Sequence, residues 1–292
     1  MLNDIQTILA ARSAEAVWRH YVGRLAGLGF PHVSYYGARL LEASGERMID
    51  DSIFLSSYSP RLFQEILAQG GFESVPMYRW MTQSTGSESW AWMHRRRLAG
   101  RLTRLEERIM DLFARHGHAS GYAVSLSDSV QRVRAGVLLS GAIGMRQDGL
   151  DAVWRRCGQG VEALTGLMHL RLSTLPYTPP ETMLTLRQRE VLEHIAAGRT
   201  TPEIAEMLDL TPATVEKHLR LARKALGART TAQAILHAAH RRQIFIDPGE
   251  PCNQAEGGAQ SARSGAEPWR FLSFAEALPR DRVVLDAGEG EI

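Results

Sequence analysis

The feature that most restricts what this chain can form is a series of helix-start signals in residues 184–245. A threonine at an N-cap accepts a hydrogen bond from a backbone N–H of the first turn. A Gln or Glu three residues later completes a capping box, and proline is favoured at the first helical position. The signals are, in order, Thr185 with Gln188, Thr201 before Pro202, Thr211 before Pro212, and Thr230 with Gln233. Four consecutive starts predict a compact all-helical unit.

The second and third of these helices are joined by a very short turn. The sequence predicts helices over 202–208 and 212–226, separated by three residues, which is helix-turn-helix spacing. In the longer helix, Val215, Leu219, Ala222 and Leu226 recur at helical intervals and are expected to be buried. The opposite face then carries the charged residues.

That charged face suits double-stranded DNA, because an α-helix fits the major groove and its exposed side chains reach base edges. Lys217 and Arg220 lie three residues apart and are the predicted base readers. Threonines at helix N-termini are expected near phosphates, and Arg223 and Lys224 near the DNA backbone. The full candidate set is Thr200, Thr201, Thr211, Thr214, Glu216, Lys217, Arg220, Arg223 and Lys224.

The distribution of charge agrees with a polyanionic partner. The chain as a whole has a formal charge of only +2. Residues 184–245, however, hold ten lysines and arginines against six acidic residues, and residues 246–292 hold four arginines against nine acidic residues. A basic block before an acidic tail is a weak indication of nucleic-acid binding.

Composition also divides the chain. Residues 172–183 contain Pro176, Pro179 and Pro180, which interrupt helices and central strands, and we interpret them as a linker. Residues 247–267 have few large apolar side chains, which indicates disorder. The predicted organisation is therefore a sensor-like domain over 1–171, a linker over 172–183, a DNA-binding domain over 184–245 and an acidic, largely disordered tail over 246–292.

The first domain mixes helical and extended patterns. Helices are predicted over 14–28, 60–69, 75–82, 102–116 and 148–171, and strands over 32–41, 52–56, 88–93, 121–126 and 134–140. Helices before, between and after short strands indicate an α+β chain with an N-terminal α/β/α sandwich around an antiparallel sheet, followed by the all-α four-helix unit. Such a sandwich can enclose an apolar pocket.

A family resemblance rests on the run LTLRQREVLEHIAAGRTTPEIAEMLDLTPATVEKHLRLARKALGARTTAQAI. It resembles the C-terminal DNA-binding domain of LuxR-type regulators, without a gap. The resemblance implies a unit that dimerises through its last helix, binds a two-fold symmetric DNA site and reads bases with Lys217 and Arg220; RNA polymerase is a further candidate partner. Two departures are Gln188, where the family usually has Glu, and Glu216, at a position that is often basic.

Residues 5–170 resemble, less closely, the autoinducer-binding domain of quorum-sensing LuxR proteins. The landmarks are Pro76, Trp90, the run Gly117-His118-Ala119-Ser120-Gly121, and Ser140, where the family often has a hydroxyl near the ligand head. The resemblance implies binding of an acyl-homoserine lactone, whose polar head the family holds with a Trp, a Tyr and an Asp.

This chain departs from the family at those three positions. Counting back from Pro76 places Leu62, Ile66 and Val75 there, and valine cannot accept the ligand amide N–H. Glu73 or Ser74 are alternative acceptors, and Tyr58, Tyr78 or Trp80 alternative aromatic donors. The candidate ligand-binding residues are Tyr58, Leu62, Ile66, Val75, Pro76, Trp90 and Ser140. The ligand thus stays open between an acyl-homoserine lactone, another small apolar molecule, and none.

These observations predict a homodimeric transcriptional regulator gated by a small apolar signal. One alternative is a ligand-independent LuxR-like regulator, or one that forms inactive heterodimers with a true sensor. An enzyme acting on a small molecule is the alternative from another class, with Ser120 and Asp128 as residues to test. We expect no catalytic residues, no metal, no cofactor and no membrane partner. Two cysteines, Cys157 and Cys252, fit a reducing cytoplasm.

Overall fold

The computed structural model describes residues 1–43, 46–126, 133–175, 183–245 and 270–273. The chain divides into two compact units, one formed by Met1–Ser173 together with Glu267–Ile292, the other by Thr174–Ala266. The chain therefore leaves the first unit, forms the second and returns. The structure does not describe Asp128, residues 176–182 of the expected linker or most of the expected tail.

The first unit contains seven helices and six strands among the described residues. In chain order these are α1 (Leu2–Ala10), α2 (Ala14–Leu28), β1 (His32–Ala43), β2 (Glu46–Ser56), α3 (Pro60–Ala68), α4 (Pro76–Gln83), β3 (Gly86–Ser89), α5 (Ala91–Leu98), α6 (Arg104–Arg115), β4 (Gly121–Ser125), β5 (Val133–Ser140), α7 (Gln147–Thr174) and β6 (Arg270–Ser273). A 3₁₀ turn, Phe72–Ser74, precedes α4. Helix α7 runs to Thr174, three residues into the stretch that we interpreted as the linker.

The strands form one antiparallel sheet in the order β3-β4-β5-β1-β2-β6. Strand β1 is central and pairs with both β2 and β5, so that Tyr36 lies opposite Phe54 on one side and Gly136 on the other. The predicted antiparallel sheet is confirmed.

Helices cover both faces of this sheet, because successive side chains of a strand point to opposite faces. The Tyr35 hydroxyl hydrogen-bonds to His169 Nδ1 of α7 at 2.9 Å. The neighbouring Tyr36 ring packs against Tyr78 of α4 with 4.9 Å between centroids. Helix α7 therefore lies on one face and α4 on the other, and the α/β/α sandwich that the sequence predicted is confirmed.

One predicted strand, over 88–93, is wrong from Trp90 onward. Strand β3 ends at Ser89, and α5 begins at Ala91. The Ser89 hydroxyl accepts from the Ala91 backbone N–H at 3.2 Å, and the Trp90 backbone N–H donates to the Gly121 carbonyl at 2.9 Å. The apolar run 90–93 is typical of a strand, but in the structure Trp90 is the N-cap of α5 and residues 91–93 form its first turn.

The last strand lies in a stretch that the sequence indicated would be largely disordered. Residues Arg270–Ser273 pair antiparallel with β2, from Ser56 opposite Arg270 to Ile53 opposite Ser273. The sheet of the first unit therefore includes backbone from the C-terminal end of the chain.

The second unit is all-helical in its described residues, as predicted. It consists of α8 (Leu186–Ala196), α9 (Thr201–Met207), α10 (Pro212–Leu226) and α11 (Thr231–His240). One apolar core joins all four helices and includes Val191, Ile204, Val215, Leu219 and Ala238. Apolar spacing in α8 predicts that Val191, Leu192, Ile195 and Ala196 face inward. Val191 and Leu192 are buried and Ile195 is half-buried, but Ala196, at the end of the helix, is exposed.

Candidate DNA-binding surface and sensor cavity

Helix α10 is anchored by one face and exposed on the other. Val215, Leu219, Ala222 and Leu226 are buried, as their spacing predicted. The Thr211 hydroxyl accepts from the Thr214 backbone N–H at 3.2 Å and caps the first turn. Gly227 ends the helix with φ +65°, a left-handed conformation that glycine adopts without strain. The helix thus has a fixed start, a fixed end and a fixed orientation about its own axis.

The caps of the neighbouring helices agree with the sequence in part. The reciprocal capping box of Thr185 and Gln188 is present. At α9, however, the N-cap is Thr200, and the predicted N-cap Thr201 is the first helical residue. The Glu203 carboxylate accepts from the Thr200 backbone N–H at 2.7 Å and from its hydroxyl at 2.8 Å. The proline signal located this helix to within one residue.

The second predicted capping box, at α11, is only half formed. Thr230 accepts from the Gln233 backbone N–H at 3.1 Å. The side-chain amide oxygen Oε1 of Gln233 accepts from the backbone N–H of Arg229 at 2.9 Å, not from that of Thr230. The side chain still satisfies a backbone donor at the helix start.

The exposed face of α10 carries the two predicted base readers together. Lys217 and Arg220 are both exposed, and within the described parts of the chain neither forms an ion pair. Lys224 lies one turn beyond Arg220 and is exposed as well. This face presents long cationic side chains to solvent.

Arg223 is held differently from Lys224. It is half-buried, and its Nη1 donates to the Thr231 hydroxyl at the start of α11 at 2.9 Å. Its guanidinium therefore also ties two helices together.

The threonines at the helix starts are placed close to this face. Thr200 and Thr211 are exposed, whereas Thr201 and Thr214 are half-buried. The Thr211 and Thr214 hydroxyls lie 2.8 Å apart, and the Thr201 hydroxyl donates to Glu216 Oε1 at 3.2 Å. A polar side chain of α9 therefore contacts α10 beside Lys217.

The first unit contains a small apolar cavity between the sheet and helices α3, α4 and α6. The cavity volume is only about 20 Å³, which is enough for about one water molecule. Its walls are almost entirely apolar and aromatic. The lining residues are Ser34, Tyr36, Phe54, Tyr58, Leu62, Phe63, Ile66, Phe72, Val75, Tyr78, Met81, Phe113 and Leu138.

Four of the seven predicted ligand residues line this cavity, namely Tyr58, Leu62, Ile66 and Val75. Pro76, Trp90 and Ser140 are buried but do not line it. Trp90 packs on Phe113 with 5.5 Å between ring centroids, so one cavity wall separates it from the open space.

A polar cluster adjoins the cavity at Tyr58. The Ser140 hydroxyl donates to the Tyr58 hydroxyl at 2.9 Å, and His118 Nδ1 lies 3.3 Å from Ser140 Oγ. Burial, and then the neighbouring His32, lower the pKa of the His118 imidazole to about 4, so it is neutral at pH 7. Burial also raises the pKa of Tyr58. The cluster offers uncharged hydrogen-bonding groups only.

The acceptor that a bound amide would need is not supplied at Val75. Valine lines the cavity there. Ser74, one of the alternative acceptors, is buried and donates to the Gly71 carbonyl at 2.5 Å. The side chain of Glu73, the other alternative, lies outside the described residues. Of the alternative aromatics, Tyr78 reaches the cavity and Trp80 is not in its lining.

Sequence reasoning missed the aromatic side chains that fill this space. Phe54 packs edge-to-face against Phe63 and at a tilt against Phe72, with ring centroids 4.9 and 4.7 Å away. They come from β2, α3 and the 3₁₀ turn, so no local pattern connects them. His118 was quoted as part of a landmark run, but nothing in that run pointed to its contact with Ser140.

Of the two residues named for the enzyme alternative, the structure describes only Ser120. Ser120 is 1% exposed, and Asp128 lies outside the described residues. Within the described ranges, no group of three or more His, Cys, Asp or Glu is arranged to hold a metal ion. No helix in that part of the chain has the length and apolar character to cross a bilayer.

Comparison with protein families gives two matches. Residues 13–172 match the autoinducer binding domain, and residues 182–238 match the bacterial regulatory proteins of the luxR family. The first match covers more than half of the chain and includes the cavity. The second includes all of α8, α9 and α10.

Among curated proteins, the chain is similar to the transcriptional activator protein BjaR1 of Bradyrhizobium diazoefficiens, with 37% identity over 82 residues, 28% of this chain and 34% of that protein. It is 49% identical over 55 residues to the transcriptional regulatory protein MctR of Rhizobium johnstonii, 19% of this chain and 26% of that protein. These matches thus span about a third or less of the relatives' lengths.

Two solved structures are also similar. Escherichia coli SdiA aligns at 18% identity and a TM-score of 0.45, covering 82% of this chain and 96% of that one. CepR2 from Burkholderia cenocepacia, described as an N-acylhomoserine lactone dependent LuxR family transcription factor, aligns at 15% identity and a TM-score of 0.44, covering 58% and 92%.

Proposed function

This chain belongs to the LuxR family of bacterial transcriptional regulators that carry an autoinducer binding domain, and from that membership we propose that it is a homodimer that binds double-stranded DNA through α10. The observation that carries the proposal is the exposure of Lys217 and Arg220 on a helix whose opposite face is locked into the core. Thr200, Thr201, Thr211, Thr214, Glu216, Arg223 and Lys224 complete the contact surface.

The geometry supports insertion of α10 into a major groove. Side chains at positions 217, 220 and 224 follow helical spacing along one face, and Arg can form a bidentate contact with guanine O6 and N7. Two such helices in a dimer face successive major grooves about 34 Å apart. A two-fold symmetric DNA site follows from this arrangement. We place the protein in the cytoplasm, where the bacterial chromosome and its further candidate partner, RNA polymerase, are found.

The experiment for DNA binding is selection from a random duplex library with the full chain, with and without a lipid extract of the host. We expect enrichment of an inverted repeat and a mass of two chains per duplex by light scattering. Failure to enrich any sequence under both conditions contradicts the proposal. Enrichment of a single half-site with one chain bound contradicts the homodimer.

For the first unit, we propose that a small apolar signal, such as an acyl-homoserine lactone, binds in the cavity. The apolar walls suit an acyl chain, and the neutral Tyr58, Ser140 and His118 suit an uncharged polar head. The space is too small as it stands, so the ligand must displace aromatic side chains such as Tyr36 and Tyr78. A ligand that binds only the folded state stabilises it by mass action.

A second candidate is a regulator that needs no ligand, or one that heterodimerises with a true sensor. The nearly filled cavity and Val75 favour this second candidate. An amide N–H of a ligand that is buried without a hydrogen-bond acceptor weakens binding by about 1–3 kcal/mol. A panel of acyl-homoserine lactones in a thermal-shift assay separates the two. Mass spectrometry of small molecules that co-purify from lipid-supplemented cultures covers other ligands. A rise in Tm or a co-purified molecule supports the sensor. The absence of both supports the ligand-independent regulator.

A further inference from the structure

The proposed DNA-contacting face contains one carboxylate among its cationic groups. Glu216 is exposed in the first half of α10, next to Lys217 and one turn before Arg220. We propose that Glu216 selects cytosine in the major groove by accepting a hydrogen bond from its 4-amino group, and that Thr201 positions the carboxylate for this contact. The inference rests on the proposed function and specifies which base that surface reads.

A carboxylate in this place needs a donor on the DNA. It only accepts hydrogen bonds when ionised, and phosphates repel it. In the major groove guanine presents O6 and N7 and thymine presents O4, all acceptors that also repel it. Adenine has a donor at N6 but an acceptor at the adjoining N7, whereas cytosine presents the N4 amino donor. Cytosine is therefore the base that Glu216 tolerates best.

The Thr201 contact fixes the orientation of Glu216. The threonine hydroxyl donates to Oε1 at 3.2 Å. Since a carboxylate has two oxygens, Oε2 is left to accept from a base. Thr201 is half-buried as the first residue of α9, and the core residues Ile204 and Ala205 anchor that helix. A side chain held in one rotamer before binding loses less conformational entropy on contact.

The test is selection from a random duplex library with the full chain, with and without the lipid extract, for the wild type and Glu216→Gln. We expect a conserved cytosine in each wild-type half-site. Glutamine pairs bidentately with adenine N6 and N7, so Glu216→Gln should change that position to adenine. On the wild-type site, replacing this cytosine should weaken binding by about tenfold for the wild type and by much less for Glu216→Ala.

Glu206→Gln is the matched control, because it makes the same charge change at an exposed residue of α9. It should leave the selected sequence unchanged. If Glu216→Gln selects the wild-type sequence, and replacing the cytosine weakens binding of Glu216→Ala as much as that of the wild type, the inference is wrong while the proposed function stands. If the wild type selects no sequence under either condition, the proposed function itself fails.

Thr201 is tested by Thr201→Val and Thr201→Ser. Valine keeps the shape but removes the donor, so the affinity for the selected site should fall toward that for the site in which the cytosine is replaced, and discrimination at this position should decrease. Serine keeps the hydroxyl and should restore discrimination. If Thr201→Val instead weakens binding to all sequences equally, Thr201 contacts phosphate and does not position Glu216.

Discussion

Arg220 and Lys224 illustrate how neighbouring residues of one charge differ in the role we assign them. Both are exposed on α10, one turn apart. Arg220 is closer to the helix N-terminus, the end of a recognition helix that meets base edges. Lys224 lies in the last turn and is placed to meet phosphates.

We predict that Arg220→Ala relaxes sequence preference while the dimer stays intact. A bidentate arginine–guanine contact is worth about 1–3 kcal/mol of discrimination. The measurement is competition gel shift with the selected site and single-base variants. An unchanged preference would count against Arg220 as a base reader.

Lys224→Ala is the matched comparison for Arg220→Ala. It should weaken binding to every sequence alike and reduce the salt dependence by about one phosphate contact. Arg223→Ala is a poorer comparison, because Arg223 donates to Thr231 and its loss also disturbs the α10–α11 contact.

His118 makes the stability of the first unit depend on pH. Its pKa of about 4 in the folded chain lies below the ordinary value of 6.5. The unfolded chain therefore binds more protons between these values, and stability falls as the pH falls from 6.5 to 4. We predict that His118→Asn reduces the loss of Tm between pH 7.5 and pH 4.5. Carboxylates also lower the Tm of both the wild type and His118→Asn as the pH falls. The readout is therefore the difference between the two losses of Tm, and equal losses would contradict the prediction.

At the scale of elements, the sequence predicted well the helix ends that depend on local signals. It predicted poorly the features that depend on contacts between residues far apart in the chain. Thr185 with Gln188, Thr211 and Gly227 act within one helical turn, so the sequence predicted where α8 and α10 begin or end. The start at Ala91 depends on contacts of Ser89 and Trp90, including one to Gly121 of another strand, and was predicted wrongly. The filling of the cavity depends on aromatics from several elements, and no pattern in the sequence revealed it.

The capping box of α8 yields a test confined to one element. Thr185 and Gln188 satisfy two backbone donors at the helix start. Thr185→Ala should lower the free energy of unfolding of the helical unit by about 1 kcal/mol, measured by urea denaturation. Thr185→Ser keeps the capping hydroxyl and should retain most of the wild-type free energy of unfolding. A change in the selected DNA sequence would show that this cap also affects recognition.

At the scale of the whole molecule, the sheet depends on residues far apart in the chain. Strand β6 pairs with β2 along Ile53–Ser56, and an edge strand without a partner exposes backbone donors and acceptors that favour association. We predict that deleting residues 270–292 increases the fraction of high-molecular-weight species in light scattering relative to the full chain. Deletion of 274–292 keeps β6 and should not. Equal behaviour of the two truncations would contradict a role for the strand.

The position of β6 also sets an order for biosynthesis. A ribosome completes β5 and the whole helix-turn-helix unit before it adds residues 270–273, so the sheet of a nascent chain stays one strand short until those residues have been made. Throughout that interval β2 is the outer strand of the newly made domain. Many copies of the chain emerge side by side on a polysome. There the exposed edge of β2 in one nascent chain can pair wrongly with a strand of its neighbour.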